Sequence, residues 1–511
     1  MERDSVTSSI WQTSIASYPA KVKFLPNGLF DVVIVGGGIT GISLAILLQE
    51  AGKKCLLIEA HQLGFGTTSG TTAHINTFLE NPYHKIAEDF SEEGARQVSL
   101  AVQDAVNLIR KNISGFHIDC DYSLQPGYVY AEDEKQVEEL DKIVAYSRSV
   151  GVDVNFSDGK GFPFPYHKLA LFRDQAQFHP LKYIFGLAKE FEKAGGTIVQ
   201  YCRMEKLDKD HELFTLITDI GNIRARQVVY ATHTPPGVNI LHTLLAPYRS
   251  YVLAAELAIE DYPPGLVYDM HDPYHYFRIH QVKGRRYLII GGGDHKTGNF
   301  SDTSKLYKDL QVFLSKKLPI KKIVYTWSSQ LYEPADGLGY IGELPGESEN
   351  VFVATGFAGN GMVYSHISAL VLSDLILREK ESYGNIFSPK RVKPVASFSN
   401  FVRENADVVQ ELVTGFLPKE KLDAASDLKP GEGRIVDYEG KKMGLYRDPA
   451  DVLYAVNPVC PHMKCMVQWN STEKSWDCPC HGSRFSVTGE LLNGPARHNL
   501  EVYSLQKQSS L

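Results

Sequence analysis

Apolar positions gather early in the chain into a strand–helix–strand pattern. "FDVVIV" (30–35) is a β-branched run that predicts a strand. "ISLAILLQEAG" follows with the spacing of a helix ending near Gly52, and "KKCLLIEA" predicts a second strand with Glu59 at its end. Farther along, "NIRARQVVYATH" (222–233) reads as a strand ending in Ala231-Thr232. "NVFVATGFAGNGMVYS" (350–365) reads as a strand, a glycine turn and a helix start. "DPYHYFRIHQ" (272–281) and "RRYLIIGGGDHKTG" (285–298) alternate like paired strands, with Tyr276, Arg278 and His280 on one face. After Ser388 the pattern changes. "PKRVKPVASFSNFVRENADVVQELV" predicts a basic connector and an amphipathic helix, and "SDLKPGEGRIVDYEGKKMGLYRDPAD" predicts short, hairpin-like strands. The longest apolar stretch, "DVVIVGGGITGISLAILL", is broken by glycines and followed by "QEAGKK", so a strand, turn and helix fit it better than a membrane span.

The first turn carries chemistry. In "GGGITG" (36–41), Gly36 makes the tight turn, Gly38 lets a pyrophosphate approach the backbone, and Gly41 lets helix and strand pack closely. The pyrophosphate would meet a helix N-terminus, where free N–H groups and the dipole favour anions. Glu59 is placed for ribose hydroxyls. This arrangement suits a dinucleotide, either FAD or NAD.

Composition narrows the class. The chain has 511 residues, 43% of them hydrophobic and 22% charged, enough for two to four folding units, because single cores rarely grow past about 250–300 residues. Net charge is −7 and no long basic run occurs, which argues against a nucleic-acid partner. The first twenty residues lack a basic region followed by an apolar core, so a cytoplasmic protein is expected.

Four of the seven cysteines crowd between 460 and 480, in "CPHMKC" (460–465) and "CPCHGS" (478–483). Cys-x-His, then fifteen residues, then Cys-x-x-His supplies two thiolates and two imidazoles, a set that zinc also accepts. Three details favour iron: Cys465 and Cys480 form a second pair beside the ligands, Gly482-Ser483 follows the last histidine, and "NGPA" (493–496) offers a proline loop.

The segments from about 28 to 385, including "GFGTTSGTTAHI" (64–75) and "WSSQLYEPADGLGYIG" (327–342), resemble the D-amino-acid-oxidase-like family of flavoproteins. The resemblance implies FAD. It puts Thr67, Thr68 and Ser69 along the pyrophosphate and ring, Met204 near the adenine, Ala231 at the end of a cofactor-side strand, and Gly356, Gly361 and Met362 near the isoalloxazine. Gly339 departs from the family, which often has proline there. The tail resembles a Rieske [2Fe–2S] domain. That resemblance implies Cys460 and Cys478 on one iron, His462 and His481 on the other, a Cys465–Cys480 disulfide, and a Ser483 hydroxyl bonded to a cluster sulfur. Where high-potential relatives place tyrosine, this chain has Phe485.

The expected fold is α/β plus β. A Rossmann-type FAD-binding oxidoreductase domain spans 1–390, with cofactor segments at about 28–90, 180–240 and 325–385. An interleaved antiparallel-sheet substrate domain takes about 91–180 and 240–325. A linker helix at 391–420 leads to a small all-β Rieske domain at 421–511. The expected activity is oxidation of a small amine or amino acid by hydride transfer to flavin, with single electrons leaving through the cluster to a quinone or soluble carrier. Arg278 is a candidate clamp for a substrate carboxylate and Tyr276 shares its face; a structural role for Arg278 stands beside that reading. Two other readings are a non-catalytic redox carrier or sensor, and a Rieske-type oxygenase with iron on Asp269, Asp272, His275 and His280.

Overall fold

The computed structural model describes residues 4–391 and 428–504, apart from 23, 261, 264, 300–301, 379–381 and 439–440. The expected connector helix lies outside the described residues, save for Arg391.

The early pattern folds as a parallel βαβ unit. Leu29–Val35 pairs in parallel with Cys55–Glu59, and helix Ile39–Glu50 crosses between them. Close approach explains two glycines. A Cβ on Gly36 (φ +115°) would stand 2.4 Å from the Ala231 carbonyl oxygen, and one on Gly41 would stand 2.0 Å from that of Gly36. The strands run in the order Tyr340–Glu343, Val351–Thr355, Gly221–Tyr230, Leu29–Val35, Cys55–Glu59, Thr197–Gln200, parallel but for the first pair. The Ile39–Glu50 helix is buried nearly all round because helices Pro180–Lys193 and Gly361–Arg378 cover it. The latter, with the turn before it, is long and apolar enough to cross a membrane, yet 67% of its apolar window is buried in this protein.

A second, mixed sheet of nine strands forms the other half of the oxidoreductase unit. Its path runs Ile320–Pro334, Leu245–Leu257, Arg285–Lys296, Tyr276–Val282, Leu266–Tyr268, Ser123–Ala131, Lys168–Gln177, His74–Ile75. The predicted pair is present: Tyr276 faces Gly291 and Val282 faces Arg285. The boundary expected at 325 falls inside the strand Ile320–Pro334, which stays in this second sheet; the chain rejoins the parallel sheet at Tyr340. His74–Ile75, inside the expected first cofactor segment, also joins the second sheet.

The tail holds a three-stranded sheet (Gly433–Tyr438, Lys441–Arg447, Leu453–Val456) and a four-stranded one (Gln468–Asn470, Ser475–Asp477, Arg484–Ser486, Leu491–Asn493). Val456, Val467, Trp476, Phe485 and Leu500 pack with the clustered cysteines in one small core.

Candidate active site and metal centre

Both sheets and the tail enclose one cavity of about 690 Å³. Gly36, Gly38, Glu59, Thr67, Thr68, Met204, Ala231, Gly361 and Met362 line it. Three expected cofactor residues do not. Gly41 serves the helix–strand contact described above. Ser69 turns its hydroxyl to the Phe65 and Gly66 carbonyls. Gly356 (φ +75°) packs against Leu245. At the nucleotide end, Glu59 accepts hydrogen bonds from the amides of Gly37 (2.7 Å) and His61 (2.9 Å), and the Thr68 hydroxyl accepts from the amide of Ile39 (3.0 Å) at the helix start. This length and lining, from a glycine-rich helix N-terminus past a ribose-side acid to a second sheet, fit an extended dinucleotide such as FAD.

Arg278 is not part of the cavity wall. Its guanidinium donates to the carbonyls of Thr72, Ala73 and Phe178 and to His280, and it lies over the Trp11 ring. Burial lowers its pKa to about 9. It is a structural arginine and cannot clamp a substrate carboxylate. Tyr276, two residues earlier on the same face, does line the cavity. The oxygenase motif also fails to converge. Asp269 bonds His275 (2.8 Å) and its amide, whereas His280 turns to Arg278 and Trp11, and Asp272 is exposed.

In the tail, the two cysteine loops are joined by a disulfide between Cys465 and Cys480. Cys460 and Cys478 are buried and not in a disulfide, and their side chains are hydrogen-bonded to each other. The Ser483 hydroxyl also bonds Cys460, and it accepts the Ala496 amide of the proline loop at 3.0 Å. His462 and His481 stand edge to face, 5.0 Å between ring centres. The Nδ1 atoms of both rings are buried without a hydrogen-bond partner. The Nε2 of His462 faces the Gly237 carbonyl at 3.1 Å, and a carbonyl can only accept, so the proton sits on Nε2 and the Nδ1 lone pair is free. Two thiols and two bare Nδ1 atoms are therefore a metal-ligand set. Among the described residues, no three of these four bring ligand atoms within 4.8 Å of one another; the one such group, Cys465, Cys478 and Cys480, contains the disulfide. A single tetrahedral zinc needs tighter convergence than that, whereas a two-iron cluster separates its thiolates from its imidazoles.

The tail docks on the oxidoreductase unit through this end. The amide of Gly237 bonds the Pro495 carbonyl (3.2 Å), and Arg497 bonds that of Pro236 (2.9 Å). Tyr332 donates to the His481 (3.2 Å) and Gly494 (3.4 Å) carbonyls, and Gln330 to that of Gly482 (2.9 Å). His233, a cavity residue, packs edge-on against Tyr332 at 4.7 Å, and His242 against His462 at 4.9 Å. Residues 491–497 of the tail line the same cavity as the glycines of the βαβ unit. On the tail side His462, His481, Gly482 and Pro495 belong to the motifs already singled out, but their partners Pro236, Gly237 and His242 carry no local motif, so sequence reasoning missed the docking, as it missed the cavity acids Glu80 and Asp294.

Geometry and comparison agree. The chain belongs to the FAD dependent oxidoreductase family, matched over residues 31–375, and carries a Rieske [2Fe-2S] domain matched over 419–504. FAD and a [2Fe–2S] cluster are its cofactors. It is 34% identical over 501 residues to "Putative Rieske 2Fe-2S iron-sulfur protein YhfW" of Bacillus subtilis (strain 168), covering 97% of each chain. It is 23% identical to "Gamma-glutamylputrescine oxidoreductase" of Escherichia coli (strain K12), covering 74% of this chain and 90% of that one. In fold it resembles glycine oxidase from Geobacillus kaustophilus, with a TM-score of 0.61 at 20% identity over 72% of this chain and all of the other.

Proposed function

We propose that the chain oxidises a small amine or amino acid by hydride transfer to FAD and exports the electrons singly, through the Rieske cluster, to a quinone or soluble carrier. Bound flavin supplies a two-electron acceptor that can release electrons one at a time. On this reading Cys460 and Cys478 hold one iron and His462 and His481 the other, while Gly36, Gly38, Glu59, Thr67, Thr68, Met204, Ala231, Gly361 and Met362 hold FAD.

The observation that carries the reading is the shared cavity. The loop over the imidazole end of the metal centre, residues 491–497, is also a wall of the flavin cavity. Tyr332 and His233 bridge the remaining gap. An enzyme that returned its electrons to oxygen would not need a second centre against its flavin. The name of the Escherichia coli relative supports an amine substrate.

The test is anaerobic: the holoprotein is mixed with a panel of amines and amino acids while flavin absorbance is followed. At least one class should bleach the flavin. If none does, although dithionite reduces both centres, the carrier or sensor reading replaces this one.

A further inference from the structure

The second sheet provides a cavity wall of unusual chemistry. Asn76, Glu80, Tyr268, Tyr274, Tyr276 and Asp294 line it. Tyr268 bonds Asn76 (2.7 Å), Tyr276 bonds Ser250 (2.9 Å), and Glu80 accepts the Gly359 amide (2.6 Å). Among the described residues, no lysine or arginine belongs to this wall. Of the two arginines lining the cavity, Arg203 bonds His61 beside Glu59 and Arg497 bonds the Pro236 carbonyl.

Local structure aims Asp294 at this space. In "GGGDH" (291–295), a Cβ on Gly291 would stand 2.2 Å from the Tyr276 ring, so glycine makes room for that ring. The register with Leu245–Leu257 then slips between Arg249 and Tyr251, at Gly293 (φ +70°). Such a bulge re-aims the next side chain. Asp294 Oδ1 ends buried with no hydrogen-bond partner.

We propose that this wall recognises a cationic amine bearing no carboxylate on its reacting carbon, and that the Asp294 carboxylate takes the ammonium proton. The inference rests on the dehydrogenase reading above and narrows it. An ammonium needs acceptors on several sides, and Glu80, Asp294 and the tyrosine hydroxyls offer them beside aromatic faces. An amino-acid carboxylate would instead be buried beside two acids with no cation to pair it, an arrangement that works against binding. The proton balance is simple. R–CH2–NH3+ and the Asp294 carboxylate give R–CH2–NH2 and the Asp294 carboxylic acid. The C–H bond then breaks with its electron pair going to FAD as hydride, and the product is the iminium R–CH=NH2+. Burial, and then the charge of Glu80, raise Asp294 to about 7, with the Ser250 hydroxyl opposing. Glu80, Tyr274 and Tyr276 are the titratable groups facing it; Tyr274 and Tyr276 are half-buried and desolvation raises both, so they stay neutral, while the Glu80 carboxyl is exposed to the open cavity. A carboxyl near 7 can both accept and release a proton at neutral pH.

Probes that cannot react separate recognition from turnover. tert-Butylamine and 2-aminoisobutyrate have no hydrogen on the carbon bearing nitrogen, so they bind without reducing flavin. Calorimetric titration of the holoprotein should give tert-butylamine at least tenfold tighter binding than 2-aminoisobutyrate. Asp294→Asn and Glu80→Gln should each weaken the amine at least tenfold with FAD content and the cluster's EPR signal unchanged, and Asp294→Glu should recover part of the loss. Equal or tighter binding of the amino acid, no binding of either probe, or an amine affinity untouched in both variants would each overturn the inference. If glycine bleaches the flavin while 1,4-diaminobutane does not, this inference falls and the dehydrogenase reading stands. If no member of the amine and amino-acid panel bleaches it, although dithionite reduces both centres, both fall.

Discussion

Asp294 carries its burial as a pH-dependent cost. Its folded pKa, about 7, lies above the unfolded value of roughly 3.9. The stability it contributes is therefore complete below the unfolded value and is lost as pH rises through the folded one. Asp294→Asn removes the charge, so the variant's advantage in melting temperature over the parent should grow from pH 5 to pH 8 and level off above. The gain at pH 8 should be on the order of 1 kcal/mol, since water reaches the cavity wall and screens part of the effect. A variant that melts lower at pH 8 than the parent would contradict the placement of this carboxyl. Residues of this kind were not legible in the sequence. Gly36, Gly41 and Glu59 could be read because their task is set by neighbours within one βαβ unit. Asp294 and Glu80 meet across 214 positions of chain, and only the sheet register and a bulge bring them to one wall. Arg278 shows the reverse error: its type suggested a carboxylate clamp, but three backbone carbonyls from other segments claim it.

Among the elements, the two cysteine loops were the most legible, since paired short motifs state both the ligands and their spacing. The Cys465–Cys480 bond joins them across 15 positions. Closing a loop of that length limits the unfolded chain by about 3 kcal/mol. Replacing both cysteines by serine should cost a similar amount and speed loss of iron to a chelator. Alkylation of the intact native protein followed by mass spectrometry should find neither residue modified, because the disulfide leaves no thiol and its burial shields it from reduction; two alkylated thiols would refute the brace. The strand–helix–strand opening and the hairpin of 276–282 with 285–296 were equally legible, as each rests on local periodicity. Element boundaries were not. Residues 325–334 look like the entry to the cofactor sheet, yet the strand continues in the second sheet because it pairs with Leu245–Leu257 over its whole length.

On the scale of the molecule, the tail is built into the oxidoreductase unit rather than tethered to it. The N-terminal segment is threaded between them: the Asp4 carbonyl accepts from Arg484 at 2.9 Å, and the Val6 amide bonds Glu473 at 2.6 Å. Arg484 in turn pairs with Asp477 at 3.0 Å, both almost wholly buried. Gly298 allows Pro479 to approach and Gly482 allows Gln330 and Tyr332, close contacts that a side chain would block. None of this long-range docking could be read from the chain, because each contact joins segments with no shared pattern. It places the imidazole end of the metal centre against Gly237 and His242, so electrons should enter there from within the same chain. The most direct test is rapid-mix reduction of the holoprotein by a true substrate, with flavin absorbance and freeze-quenched EPR of the cluster followed together. The account predicts that the flavin bleaches first, that the reduced cluster's signal follows, and that its rate does not change with protein concentration. A cluster that stays oxidised while the flavin is fully reduced and turns over with oxygen alone would contradict it.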